Sequence, residues 1–160
     1  MKRILESQWL ATRLQVIIGV VFVWASLHKI ADPPDFAKMI FNYKITPCQL
    51  INLAAIYMPW IEIAAGAALV LGLRGRRGGA AIVGALLLVF IGAIGINLLR
   101  GNPIECGCFE GSGPPKTRDE LFFDMWVVLL RDVAMVLGII QIFIAEHAAA
   151  VRKALAATRA

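Results

Sequence analysis

Residues 79–99 read GAAIVGALLLVFIGAIGINLL, an unbroken stretch without a charge. At about 1.5 Å of rise per residue, a helix of this length crosses the roughly 30 Å hydrocarbon core of a bilayer. Three further apolar runs accompany it, from about Leu10 to Ile30, Leu50 to Leu73 and Leu121 to Ala145. A buried helix of a soluble protein is the competing reading for any one of them. Four in succession, with few polar faces between them, argue against it.

The whole chain agrees with that reading. It is 59% hydrophobic and only 17% charged over 160 residues. A soluble domain of this size has too much surface to be so apolar. Gly66, Gly72, Gly84, Gly92 and Gly95 would weaken water-exposed helices. In a membrane bundle such small residues let helix backbones approach closely. The expectation is an all-α, integral membrane four-helix bundle, one domain over residues 1–160, with residues 146–160 as a cytoplasmic tail. That tail, carrying Arg152, Lys153 and Arg159, either extends the fourth helix or lies on the anionic inner leaflet. The opening MKRILESQWLATRLQ lacks the compact pattern of a cleaved signal peptide, so the first run is read as an uncleaved anchor.

Lys and Arg in the short connections set the orientation. With both termini inside, the inner side carries Lys2, Arg3, Arg13, Arg74, Arg76, Arg77, Arg152, Lys153 and Arg159. The outer side carries Lys29, Lys38, Lys44, Arg100, Lys116 and Arg118. The RGRR turn at 74–77 is the strongest local signal, so the arrangement is N-in/C-in in a bacterial inner membrane. The net charge of +5 does not indicate nucleic-acid binding, because no basic stripe interleaves with aromatics.

This orientation places all three cysteines outside: Cys48 in the first outer loop, Cys106 and Cys108 in the second, within GNPIECGCFEGSGPP. Disulfides persist in that compartment. A Cys-Gly-Cys disulfide closes a small strained ring, and strained, exposed disulfides are the exchange-prone ones. Three readings stay open: an exchange-active Cys106/Cys108 pair, a structural staple from Cys48 to either of them, or a soft Cu(I) site of three thiolates. Zinc is disfavoured, since it usually takes four ligands and His28 and His147 fall on opposite sides.

A second group of candidates is the charge inside the spans, which is costly and usually faces the bundle interior. Glu62, Arg131 and Asp132 fall near mid-bilayer by helical rise. The expected pairing is Glu62 with Arg131, while Arg131 and Asp132, about 100° apart on one helix, face different neighbours. Lys29, Arg100 and Asp124 form a shallower layer, with Lys29 paired to Asp124. Both layers serve either as a structural clamp or as a proton path or quinone head-group site. Trp24, Trp60 and Trp126 fit core or interface equally.

These residues occur in a recognisable order: WASLHKIADP at 24–33, PWIE at 59–62, LLRG at 98–101, ECGCF at 105–109 and RD at 131–132. The order resembles the MauE branch of the DoxX-like membrane proteins, whose name comes from methylamine utilisation. The resemblance covers roughly residues 13–140. It implies a redox accessory role, with Cys106 and Cys108 as the thiol pair and a periplasmic thioredoxin-like protein or disulfide-bearing client as partner. It also implies that Lys29, Glu62, Arg131 and Asp132 occupy the family's charged positions. The family pattern CGCFG is broken here by Glu110, and Cys48 has no counterpart in it. The expected function is thiol–disulfide exchange, with a membrane quinone as the candidate far electron carrier. The alternatives are a quinone-linked oxidoreductase subunit acting on sulfur compounds, or a non-catalytic scaffold with a structural disulfide.

Overall fold

The computed structural model describes residues 7–72, 76–104 and 117–158. Within them lie five helices: α1 (Gln8–Ala31), α2 (Pro33–Asn42), α3 (Cys48–Val70), α4 (Arg76–Leu99) and α5 (Arg118–Ala157). Four of these, all but α2, are long and apolar enough to cross a membrane. The expected all-helical, four-span architecture is therefore what the chain adopts. Cys106, Cys108, Glu105, Glu110 and Lys116 lie outside the described residues.

Local sequence explains the helix boundaries. Ser7 caps α1, its side chain accepting from Leu10 N–H. Asp32-Pro33-Pro34 then ends α1 and starts α2. A residue before proline is disfavoured in the α region, and proline suits the first helical turn. Asp32 sits at φ −135° and its carboxylate caps Asp35 N–H. Gly72 turns α3 toward α4 at φ +59°, and Gly101 leaves α4 at φ +64°, conformations that cost glycine little. Thr117 and Glu120 cap α5 reciprocally, which satisfies two of the N–H groups that a helix start leaves open.

The bundle is held where helices meet through small residues. A Cβ added to Gly19 would come within 2.7 Å of Gly66 O, and one on Gly66 within 2.9 Å of Gly19 O. Thus α1 and α3 touch backbone to backbone. Gln15 donates to Leu69 O beside this contact, and Gln8 donates to Ala145 O on α5. Ile18, Leu69, Val83, Leu87 and Ile142 fill the core around these contacts. The opposite faces remain apolar and outward-facing: Trp24, Trp60 and Trp126 are all more than half exposed. These three are lipid-facing rather than core.

The helices are not level. From the Gly19/Gly66 contact, α1 runs 12 residues further to Ala31, whereas α3 runs 18 back to Cys48. The difference of six residues leaves α1 short of the Cys48 end of α3 by roughly 9 Å. Helix α2 bridges this step. Its Phe36, Met39, Ile40 and Tyr43 recur at the spacing of one helical face and pack inward, with Phe36, Met39 and Tyr43 buried. At the other end, Arg77 Nε binds Glu146 Oε2 at 2.8 Å. Helix α5 continues unbroken to Ala157, about 17 Å beyond Glu146. The tail is thus a helical continuation of α5 as far as Ala157.

Candidate functional site

The unequal helix lengths create the first feature. Because α1 stops low, Lys29 lies level with the middle of α3 instead of at a surface. Its Nζ donates to both oxygens of Glu62, each at 2.8 Å. Both side chains are under 5% exposed. Ser26, one turn back on α1, places its Oγ 2.9 Å from Glu62 Oε2 and 2.7 Å from Phe22 O. Two acceptors thus share one hydroxyl proton. The rings of Phe90 and Phe36 flank the ammonium, 5.0 and 5.2 Å from Nζ, within cation–π range.

On α5, Arg131 folds back onto its neighbour: Nε and Nη2 lie 3.0 and 2.8 Å from Asp132 Oδ1. Asp132 is buried and Arg131 partly exposed. A small cavity of about 30 Å³ touches Lys29, Glu62, Arg131 and Asp132 together. That has room for about two water molecules and none for a ring.

All four expected charged residues therefore converge on one buried centre, but the expected pairings are corrected. Glu62 pairs with Lys29, not with Arg131. Arg131 and Asp132 pair with each other, because the arginine chain is long enough to wrap around the ~100° between adjacent positions. Lys29 belongs to the deep layer and not to a shallow one with Asp124, because α1 ends below the bundle's end. A quinone head group does not fit between the charges. Lys29 is also lost from the outer-side count of positive residues, which sharpens the asymmetry used to orient the chain.

The second feature is the end of the bundle that carries Cys48 and both stems of the segment containing Cys106 and Cys108. Cys48 is exposed at the first turn of α3. Asn97, fully buried, donates from Nδ2 to Tyr43 O at 3.1 Å and to Ala93 O at 3.0 Å. Its backbone carbonyl accepts from Asn102 N–H at 3.0 Å, a bond that does not involve the side chain. The asparagine side chain thus ties the α2–α3 connection to the last turns of α4, just before the α4–α5 connection begins. Ile104 is buried with Tyr43, Ile94 and Met125, and its N–H lies 3.4 Å from Met125 Sδ. Arg118 Nη2 donates to Gly101 O at 3.0 Å, so the two stems are clasped. No cluster of three His, Cys, Asp or Glu able to hold a metal occurs among the described residues.

Sequence reading missed Asn97 and helix α2. The helix was detectable in the Asp-Pro-Pro break and the 36/39/40/43 stripe. Asn97, a lone amide in the most apolar span, carried only the signal that a polar group buried in lipid needs partners.

Comparison with known proteins bears on the same segments. A family model described as methylamine utilisation protein MauE matches residues 7–144. The MauE protein of Paracoccus denitrificans is 31% identical over 124 residues, 76% of this chain and 62% of that protein. That of Methylophilus methylotrophus is 28% identical over 109 residues, 68% and 57% of the two. That of Paracoccus versutus is 30% identical over 111 residues, 69% and 59%. The chain spans about six tenths of the length of these curated relatives. No solved structure matches it. The family match runs from the cap of α1 into the last turns of α5's bundled part, through Lys29, Glu62, Asn97, Arg131 and Asp132, and so the chain belongs to the MauE family.

Proposed function

We propose that this protein is a redox accessory of methylamine utilisation that exchanges thiol and disulfide through Cys106 and Cys108. The partner is a periplasmic thioredoxin-like protein or a disulfide-bearing client. A thiolate attacks a disulfide sulfur of the partner, a mixed disulfide forms, and the second cysteine resolves it. The cysteine end faces the periplasm from a bacterial inner membrane, where oxidised pairs survive.

The observation that carries this reading is the clasped stem. Ile104, two residues before Cys106, is locked into the bundle core, and Arg118 closes the far stem on Gly101. The thiol-bearing segment therefore starts from a fixed point at the bundle's end, which supports repeated docking of a partner. The buried Lys29–Glu62 and Arg131–Asp132 pairs support the reading as a clamp that sets helix register beneath this end.

The test is trapping. With Cys108→Ser, the purified membrane protein should accumulate a mixed disulfide with its partner, cleaved by a dithiol, and Cys106→Ser/Cys108→Ser should not. If the pair in the native protein resists reduction by a mild dithiol, or the double serine variant supports methylamine growth as well as the native chain, the exchange reading fails. The non-catalytic scaffold then takes its place.

A further inference from the structure

Between α2, α3 and α4 lies a second cavity, about 120 Å³. It exists because α1 ends short and α2, a single amphipathic helix, bridges the step without filling it. Phe36 and Met39 of α2 with Tyr43 just after it form one wall, Ala54 and Met58 of α3 another, Phe90 and Ala93 of α4 the third. Its lining also includes Ile45 and Val89, both exposed at the protein surface, together with the half-buried Thr46.

We propose that this chamber binds the ring of a lipid-dissolved benzoquinone, admitted sideways from the membrane with its tail left in lipid. Four observations point the same way. The volume approaches the ~150 Å³ apolar cavity known to accept a benzene ring. The walls offer two phenyl faces and two thioether sulfurs, groups that favour flat π systems over a flexible acyl chain. Thr46 adds a hydroxyl-bearing side chain to the lining, a donor type that suits a ring carbonyl.

The fourth observation is position. Tyr43 and Ala93 belong to the cluster that holds Ile104, so the chamber adjoins the stem of the Cys106/Cys108 segment. Phe90 lines both this chamber and the charged cavity, and Lys29 lies against Phe90 and Phe36. The ring therefore lies between Ile104, the last residue before the thiol-bearing segment, and the buried charges, separated from the latter by an aromatic partition.

The binding site stands on geometry alone, and its chemical use rests on the thiol–disulfide reading above. A Cys106/Cys108 dithiol that becomes a disulfide breaks two S–H bonds, forms one S–S bond and releases two electrons and two protons. The quinone accepts both pairs and leaves as quinol with two new O–H bonds.

The experiment uses the full chain in phosphatidylcholine nanodiscs with an azido-benzoquinone bearing a ten-carbon tail. Photolabelling should be saturable, recovered on peptides covering α2 and the facing turns of α3 and α4, and competed by unlabelled quinone. Ala54→Phe fills the chamber and should weaken labelling at least tenfold with helical content unchanged. Ala54→Val should give a smaller loss, which keeps the test open if the larger side chain does not fold. Labelling that does not saturate against bulk lipid, spreads over the lipid-facing tryptophans, or is unchanged in both variants overturns the proposal. Cys106→Ser/Cys108→Ser should bind as well as the native chain. Saturable binding without reduction of the quinone by the reduced native protein would sink the transfer from the thiols to the quinone and leave the chamber assigned, whereas failure of the mixed-disulfide trap alone would sink the exchange reading.

Discussion

Lys29 and Glu62 show how much a single buried pair controls in this molecule. Each is costly alone in an apolar interior, where the adjoining cavity is too small to hydrate an unpaired charge as bulk water does. Glu62→Gln leaves a buried ammonium facing an amide, and about 3–5 kcal/mol of destabilisation is expected from breaking such a pair. Combining it with Lys29→Met should cost much less than the two single losses added together. Unfolding midpoints of the four proteins in detergent give the coupling, and simple additivity would show that the two side chains do not act as a pair. The glycines make a second residue-scale prediction. Gly19→Ala drives a methyl into Gly66 O and should cost roughly 1–3 kcal/mol. Gly95→Ala meets nothing within 4 Å and should be neutral or slightly stabilising. A matched pair of thermal unfolding curves decides this. The charged residues were readable from sequence because intramembrane charge is rare. Their partners were not, since pairing depends on which helix ends early.

At the scale of elements, α2 and the two connections at the cysteine end carry the consequences. The Asn97 side chain ties the first connection to α4 through Tyr43 O. Asn97→Leu removes the buried bond from the α4 side chain to Tyr43 O. A loss of about 0.5–1.5 kcal/mol is the usual net worth of such a bond. Amide hydrogen exchange should quicken at residues 43–47, while 101–104, whose bond runs to the backbone carbonyl of residue 97, and the Gly19/Gly66 region stay protected. Unchanged exchange at 43–47 would mean that the Asn97 side chain does not hold the α2–α3 connection to α4. Helix α2 was hidden for a physical reason. At ten residues it is too short to read as a span, and its apolar face covers a step that only the other helices' packing creates. The long helices declared themselves by length and composition, because lipid forces every backbone group into internal hydrogen bonds.

For the whole molecule the open prediction is orientation. Arg13, Arg77, Arg152 and Lys153 gather at the end opposite Cys48, where Arg77 meets Glu146. The positive-inside rule then puts Cys48 outside. In intact cells, a variant retaining only Cys48 should react with a membrane-impermeant maleimide, since the thiol is exposed. Labelling that requires permeabilised cells would invert the topology and remove the periplasmic thiol reading with it.

By itself, the sequence determined that the chain is helical, that four helices span a membrane, and that four charged residues and a Cys-Gly-Cys segment are its chemical candidates. Hydrophobic length and the cost of charge in lipid act locally along the chain, so they are visible in it. Only the tertiary structure decided that Lys29 belongs to Glu62, that Arg131 clasps Asp132, and that a ring-sized chamber lies beneath α2. These depend on the vertical offset between α1 and α3. A backbone contact between Gly19 and Gly66 sets that offset, and no pattern within either helix specifies where its partner will end.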